Sequence, residues 1–164
     1  MKSRLPLVAL AAAALILGGC QKEMTAKHDG EALNGYHKQK VVYHINYDDA
    51  KAQAGALRNI NNHIKAVGAE NLDAKVVLHG KGLSLLLDPQ AKTKLKHGNA
   101  DQEMTAKVSG LKDLGVKFNI CANTLKGKKV ELSDLFDVSK DDVVPSGVAE
   151  LSALQMKGYT YIKP

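Results

Sequence analysis

The chain of 164 residues contains no tryptophan, and its aromatic residues make up only 4% of the total. Domains that bind single-stranded nucleic acid or RNA stack bases on aromatic side chains, and this chain has few rings for such a platform. Only two cysteines are present. A domain of about 150 residues buries enough surface to fold without disulfides or metal. Hydrophobic residues at 45% and charged residues at 24% are typical of a globular domain.

Common motifs of catalysis and cofactor binding are also absent. The chain has no G-x-G-x-x-G or Walker pattern for nucleotides, no H-E-x-x-H or C-x-x-C spacing for metals, and no G-x-S-x-G nucleophile elbow. We therefore expect neither a metal site nor a cofactor. Without the elbow, Ser146 is expected to cap a helix rather than to act as a nucleophile.

The first 20 residues have the features of a bacterial export signal. Two basic residues precede an apolar run over residues 5–17, which is shorter than the roughly 20 residues of a membrane span. The tetrapeptide Leu-Gly-Gly-Cys ending in Cys20 resembles a lipobox, in which the cysteine is acylated and the leader is cut before it. We predict a signal peptide over residues 1–19, and Gln21, in place of Asp, favours the outer membrane over the inner. A plain cleaved signal and an uncleaved anchor are the alternatives.

Cleavage before Cys20 would leave 145 residues with a formal charge of +4. This modest charge is spread along the chain, and together with export it argues against a nucleic-acid partner. Residues 20–39 are polar and have no apolar period, so we interpret them as the lipidated cysteine and a flexible tether. The folded domain is predicted over residues 40–164.

From Lys40 onward, short β-prone segments alternate with segments of helical spacing. Strands are predicted at 41–45, 74–79, 116–120, 143–145 and 159–162, and helices at 49–67, 83–87, 101–115, 122–125, 133–136 and 146–158. The helical spacing places Leu114 and Val148 on the apolar faces of their helices. This alternation predicts an α/β fold, a three-layer α/β/α sandwich with a mostly parallel sheet of about five strands.

Polar and reactive residues follow the predicted strands. Because ligands of open parallel sheets bind beyond the carboxyl ends of the strands, these residues are expected to line a pocket. The candidates for pocket lining are Asn46, His79, Gly80, Gly82, Asn123 and Ser146. For His79 two roles are open, a donor or base in the site and a structural hydrogen bond.

The second cysteine, Cys121, has no partner within the chain once Cys20 is acylated. It stands where a predicted strand passes into a helical turn, whose free N–H groups and dipole would favour a thiolate. Three lysines between residues 126 and 129 add positive charge nearby. The alternative is a small buried side chain, the usual role of a free cysteine.

Three stretches carry a resemblance to a known family: residues 75–82, residues 114–125 and residues 144–162. In them the chain resembles the DsrE/DsrF-like superfamily, and the middle stretch is the most specific. The resemblance implies that Cys121 occupies the position that carries sulfur as a persulfide in the sulfur-relay members. It also implies a homo-oligomer, a trimer or a hexamer, with this loop near the subunit boundary. The relay proteins work in the cytoplasm, whereas this chain is predicted to carry an export signal.

The leading hypothesis is therefore a periplasm-facing lipoprotein that binds or relays sulfane sulfur through Cys121. Its partners would be a sulfur donor or acceptor, either a small molecule or a protein thiol, and the membrane through the lipid at Cys20. Whether the chain turns over a substrate as an enzyme is left open. The alternatives are a non-catalytic module that binds a small ligand or a partner, and a structural envelope oligomer with Cys121 in an interface.

Overall fold

The computed structural model describes residues 36–164. Its first strand begins at Gln39, one residue before the predicted start of the folded domain. In chain order the elements are β1 (Gln39–Ile45), α1 (Ala50–Val67), β2 (Leu72–Leu78), α2 (Gln102–Asp113), β3 (Lys117–Cys121), α3 (Ala122–Lys128), β4 (Val143–Val144), α4 (Gly147–Met156) and β5 (Thr160–Ile162). Short 3₁₀ helices form at Ala69–Asn71, Gly80–Leu85, Leu132–Asp134 and Lys140–Asp142.

The five strands form one sheet in the order β4-β3-β2-β1-β5, and every pairing is parallel. Parallel neighbours require crossover connections, which the helices between the strands supply. The predicted α/β sandwich is thereby confirmed. Because all strands run the same way, their carboxyl ends meet at a single edge of the sheet.

The helices begin where the sequence places a capping side chain. The carboxylate of Asp49 accepts the N–H of Ala52 at 2.7 Å, and that of Asp101 accepts the N–H of Met104 at 2.8 Å. Ser146 caps α4 as predicted, with its hydroxyl oxygen accepting an N–H of the first turn. Such caps satisfy N–H groups that have no partner inside the helix.

The two faces of the sheet differ in cover. Alternate side chains of a strand point to opposite faces, so Val41, Tyr43 and Ile45 share one face and Val42 and His44 share the other. The first face packs against α1 and α2 in the large core. The second face packs against α4 in a small cluster of Val42, Val77, Leu151, Leu154 and Tyr159. Most of the buried apolar surface therefore lies on the α1/α2 side.

Two predicted core positions are wrong. Leu114 is exposed because it follows the last turn of α2 as its C-terminal cap residue. Val148 is 65% exposed because the first turn of α4 lies over an open cavity instead of over the strands.

Three short helices also differ from the prediction. The helix predicted at 83–87 is a 3₁₀ helix over Gly80–Leu85. The helix predicted at 133–136 is a 3₁₀ helix over Leu132–Asp134, and the Asp134 carboxylate accepts the N–H of Glu131 at 2.9 Å. The helix predicted at 122–125 continues to Lys128 in the absence of an apolar period.

Candidate functional site

The carboxyl ends of β2 and β3 meet the first turn of α4 around an open cavity of about 470 Å³. His79 directly follows β2, Cys121 ends β3, and Ser146 precedes α4. The cavity is lined by residues of all three segments and of α3: His79, Gly80, Cys121, Asn123, Thr124, Gly127, Lys128, Ser146 and Val148.

The Cys121 side chain lies at the inner wall of this cavity and is 5% exposed. Burial by itself raises the pKa of the thiol. Hydrogen bonds from the Thr124 hydroxyl and from the backbone N–H groups of Gly147, Thr124 and Asn123 act in the opposite direction. Together they outweigh burial and hold the pKa of Cys121 below its ordinary value, because they stabilise the thiolate.

The Thr124 hydroxyl is held in place by a second hydrogen bond. The backbone N–H of Gly80 donates to Thr124 Oγ1 at 2.8 Å. Gly80 has a positive φ of 56°, a conformation that favours glycine and turns its N–H toward α3. Since the oxygen accepts from Gly80, its own proton is free to be donated to the sulfur of Cys121.

Gly147 brings α4 into direct contact with the site. A Cβ atom placed on Gly147 would lie 2.9 Å from His79 Cβ and 3.3 Å from Cys121 Cβ. A larger residue would therefore displace one of these two side chains. The lack of a side chain also allows the Gly147 N–H to reach the sulfur.

His79 belongs to a chain of three polar side chains across the α4 face of the sheet. The Nε2 atoms of His44 and His79 are 2.7 Å apart, and the other ring nitrogen of His44 lies 2.7 Å from the Tyr161 hydroxyl. Burial lowers the pKa of His44 to about 4, with the charges of His79 and Lys163 adding to the effect. Burial and Lys163 also lower the pKa of His79. Both rings are consequently neutral at pH 7.

Four of the residues predicted to line a pocket surround the same cavity as Cys121: His79, Gly80, Asn123 and Ser146. The structure thus brings together the predicted residues that follow β2, end β3 and precede α4. His79 lines the cavity, and its ring also makes a hydrogen bond to His44.

Asn46 and Gly82 do not line this cavity. Asn46 follows β1, which is separated from β3 by β2 in the sheet. Gly82 instead allows two backbone segments to approach closely, because a Cβ atom there would lie 2.0 Å from the carbonyl oxygen of Ile45. This close approach fixes the 3₁₀ helix against the end of β1.

Sequence reasoning missed His44, Thr124, Gly147 and Tyr161. A signal for His44 was present, since His44 follows Val42 by two residues as His79 follows Val77. Such spacing places both histidines on one face once β1 and β2 are known to be neighbours. The roles of the other three residues depend on contacts between segments far apart in the chain.

A second cavity, of about 500 Å³, lies between α1 and α2 and holds no cysteine or histidine. Within residues 36–164 no three histidine, cysteine or acidic side chains are grouped so that they could hold a metal ion. No helix of this part of the chain has both the length and the apolar character needed to cross a bilayer. Cys20, the predicted signal peptide and most of the predicted tether lie outside the described residues.

The model of the DsrE/DsrF-like family matches residues 39–164. MTH1491 of Methanobacterium thermoautotrophicum, a protein of unknown function, is 29% identical with a TM-score of 0.62, and the match covers 77% of this chain and 99% of that one. The ychN protein of E. coli is 16% identical with a TM-score of 0.56, and the match covers 76% of this chain and 97% of that one. This likeness concerns the fold alone. No curated protein matches the chain.

Proposed function

The chain belongs to the DsrE/DsrF-like family, which is linked to sulfur relay, and from this premise we propose that Cys121 carries sulfane sulfur as a persulfide. The observation that supports this most directly is the set of hydrogen bonds that stabilise the Cys121 thiolate at the wall of an open cavity. A thiolate, not a thiol, is the nucleophile in sulfur transfer.

The first step is attack of the Cys121 thiolate on the outer sulfur of a sulfane donor. A new S–S bond forms at Cys121, the donor's own S–S bond breaks, and the donor's remaining part leaves with the electron pair. With thiosulfate the leaving group is sulfite, and with a polysulfide it is the chain shortened by one sulfur. In the second step an acceptor thiolate attacks the outer sulfur of the persulfide, and the Cys121 thiolate is released.

The charge of the cavity suits a negatively charged donor. Lys128 lines the cavity, and backbone N–H groups of Asn123 and Gly147 are directed at the sulfur of Cys121. Fixed N–H groups and a nearby ammonium favour an anion in a partly buried place. The mechanism needs no cofactor, since the sulfur chemistry is supplied by the cysteine itself.

A direct test is mass spectrometry of the full chain after exposure to polysulfide or thiosulfate. We expect one additional sulfur, about 32 Da, on the peptide that contains Cys121. The adduct should disappear on treatment with a small thiol and should not form in Cys121→Ser. Absence of any adduct that depends on Cys121 would exclude the carrier function.

A second function is favoured by the burial of Cys121, which is only 5% exposed. In this alternative the cavity binds a small ligand or a partner without covalent chemistry. Cys121→Ser separates the two functions, because a binding module should retain its ligand or partner and a sulfur carrier should not.

We further propose that the protein is anchored by lipid at Cys20 and faces the periplasm, with the outer membrane favoured. The support is the export signal and the lipobox-like tetrapeptide described above. Cys20→Ser should shift the protein from the membrane fraction to the soluble fraction and abolish incorporation of labelled fatty acid. Membrane association that survives this substitution would contradict the anchor.

We also propose that the protein is a homo-oligomer, a trimer or a hexamer. It is supported by two exposed apolar side chains of α4, since Val148 is 65% and Met156 87% exposed. Light scattering during size exclusion should give the mass of a trimer or a hexamer. Met156→Asp should lower that mass if α4 lies in the interface, whereas a wild-type monomer would exclude the assembly.

A further inference from the structure

Tyr161, His44 and His79 form one continuous hydrogen-bonded chain that ends at the Cys121 cavity. The Tyr161 hydroxyl and His44 Nδ1 are 2.7 Å apart, as are the Nε2 atoms of the two histidines. Both nitrogens of His44 are thus occupied, by an outer phenol and an inner imidazole. Tyr161 is 40% exposed, so the chain runs from the protein surface to the cavity.

The chain has a preferred direction because its members differ in basicity. A neutral imidazole carries one N–H and one basic nitrogen, and that nitrogen is a far better acceptor than a phenol oxygen. The Tyr161 hydroxyl therefore donates to His44 Nδ1, and His44 carries its proton on Nε2. This N–H donates to His79 Nε2, which leaves the proton of His79 on Nδ1.

This direction of the hydrogen bonds requires both rings to be neutral, since an imidazolium has two donors and no tautomer. Burial lowers the pKa of both histidines, and the ammonium of Lys163 disfavours positive charge on either ring. At neutral pH each ring consequently holds one proton, and the direction set by Tyr161 reaches His79.

Within the described residues, His79 Nδ1 has no hydrogen-bond partner in the protein. Every fully buried side-chain nitrogen or oxygen in this part of the chain does have such a partner, so His79 Nδ1 is not fully buried. The atom is therefore accessible to solvent or to a ligand, and His79 is one of the residues that line the cavity with Cys121. We propose that Tyr161 and His44 are positioning residues that fix this tautomer, so that His79 offers the cavity an N–H donor for an anion. Its use in sulfur transfer, where the anion is the sulfane donor or the persulfide, rests on the proposed function.

The first test is the tautomeric state of His79 in the full chain, read from ¹⁵N chemical shifts of the ring nitrogens at pH 7.5. We expect a single form protonated on Nδ1, which becomes a mixture in Tyr161→Phe. Tyr47→Phe is the matched control, because it also removes one hydroxyl that bonds a distant residue, here the carbonyl of Pro164 at 3.0 Å. A wild-type proton on Nε2, or an unchanged state in Tyr161→Phe, would overturn the assignment.

The second test compares alkylation of Cys121 by iodoacetate, an anion, with alkylation by neutral iodoacetamide. The ratio of the two rate constants cancels the thiolate fraction and reports the preference for an anion. It should fall about tenfold in His79→Leu, which removes a donor to a charged group. In Tyr161→Phe it should fall about twofold, because the two tautomers become about equally populated.

His79→Asn separates a donor from a base. The amide nitrogen of asparagine is bonded to Cγ as Nδ1 is in histidine, but an amide is not a base. The ratio should stay within about threefold of wild type in His79→Asn if His79 is a donor. An equal loss in His79→Asn and His79→Leu would refute the donor role.

The outcome is separate from that of the persulfide experiment. A missing sulfur adduct would refute the proposed function and leave the tautomer and the alkylation ratio unchanged. Conversely, a Cys121 persulfide that forms while the ratio is equal in wild type and His79→Leu would refute only the role of His79.

Discussion

Removal of the Thr124 hydroxyl is the most direct perturbation of the Cys121 thiolate. Thr124→Val keeps the shape of the side chain and deletes the donor to the sulfur. Thr124→Ser is the matched control, since it retains the hydroxyl. The valine variant also leaves the N–H of Gly80 without its acceptor, which should cost about 1 kcal/mol of unfolding free energy.

The size of the effect follows from the strength of one hydrogen bond to an anion. Hydrogen bonds to charged groups contribute about 1.5–3 kcal/mol, and sulfur is a weak acceptor, so about 1.5 kcal/mol is appropriate. At about 1.4 kcal/mol for each pKa unit, the pKa of Cys121 should rise by about one unit. Below both pKa values the thiolate fraction then falls about tenfold.

The rate of thiol exchange falls less than the thiolate fraction does. A thiolate of higher pKa is a better nucleophile, and a Brønsted slope of about 0.4–0.5 raises the rate constant of the thiolate about threefold for one pKa unit. The variant should therefore react about threefold more slowly than wild type at low pH. On the high-pH plateau, where both are ionised, it should react about threefold faster.

The assay is the rate of exchange with a small neutral disulfide as a function of pH. Two curves that cross are expected for wild type and Thr124→Val, whereas Thr124→Ser should follow wild type. Wild-type Cys121 should ionise below the value of about 8.5 of a free thiol. If the valine variant titrates with wild type, the hydroxyl does not stabilise the thiolate, and the geometry assigned to the site is wrong.

Two further predictions concern the contacts around the site. Gly147→Ala places a Cβ atom 2.9 Å from His79 and 3.3 Å from Cys121, so it should lower the unfolding free energy by about 1–3 kcal/mol and slow alkylation of Cys121. The control is Gly110→Ala in α2, where the added Cβ meets open space, and this variant should show neither effect. The folded state holds the pKa of His44 at about 4 against 6.5 in the unfolded chain, so the unfolded state binds more protons between these values. The free energy of unfolding should be highest above pH 6.5 and should fall by about 1–2 kcal/mol toward pH 4, allowing for solvent screening at this edge of the sheet. Urea unfolding should show a smaller loss in His44→Asn, and an equal loss would contradict the assignment.

The sequence predicts most of the fold because the governing signals are local. Apolar alternation and helical spacing predict the five strands and the long helices, and the caps at Asp49 and Ser146 lie where the helices begin. The errors occur where a local signal is missing or misleading. The continuation of α3 to Lys128 has no apolar period to indicate it, and Val148 has helical spacing but lies over a cavity.

The candidate site is less predictable because its contacts join distant segments. Thr124 acts on Cys121, three residues away, but it is oriented by Gly80, which is 44 residues away. His44 reaches its two partners only because β1 lies between β2 and β5 in the sheet. A strand order is a property of the whole fold, so a single sequence gives no direct signal for it. The sequence accordingly indicates Cys121 and His79 as candidates but gives no signal for the distant residues that contact them.

The unequal cover of the two faces explains how a polar site is tolerated at this place. Burying polar groups is costly unless they are hydrogen-bonded, and a chain of such groups is acceptable only when its members have partners. On the α1/α2 face, the carboxyl ends of the strands carry apolar residues such as Ile45 and Leu78 in the large core. On the α4 face, where the apolar cluster is small, His44 and His79 occupy the positions next to them and bond each other. Stability therefore resides mainly on one side of the sheet, and substitutions among the polar groups of the other side should change the chemistry at Cys121 more than they change the fold.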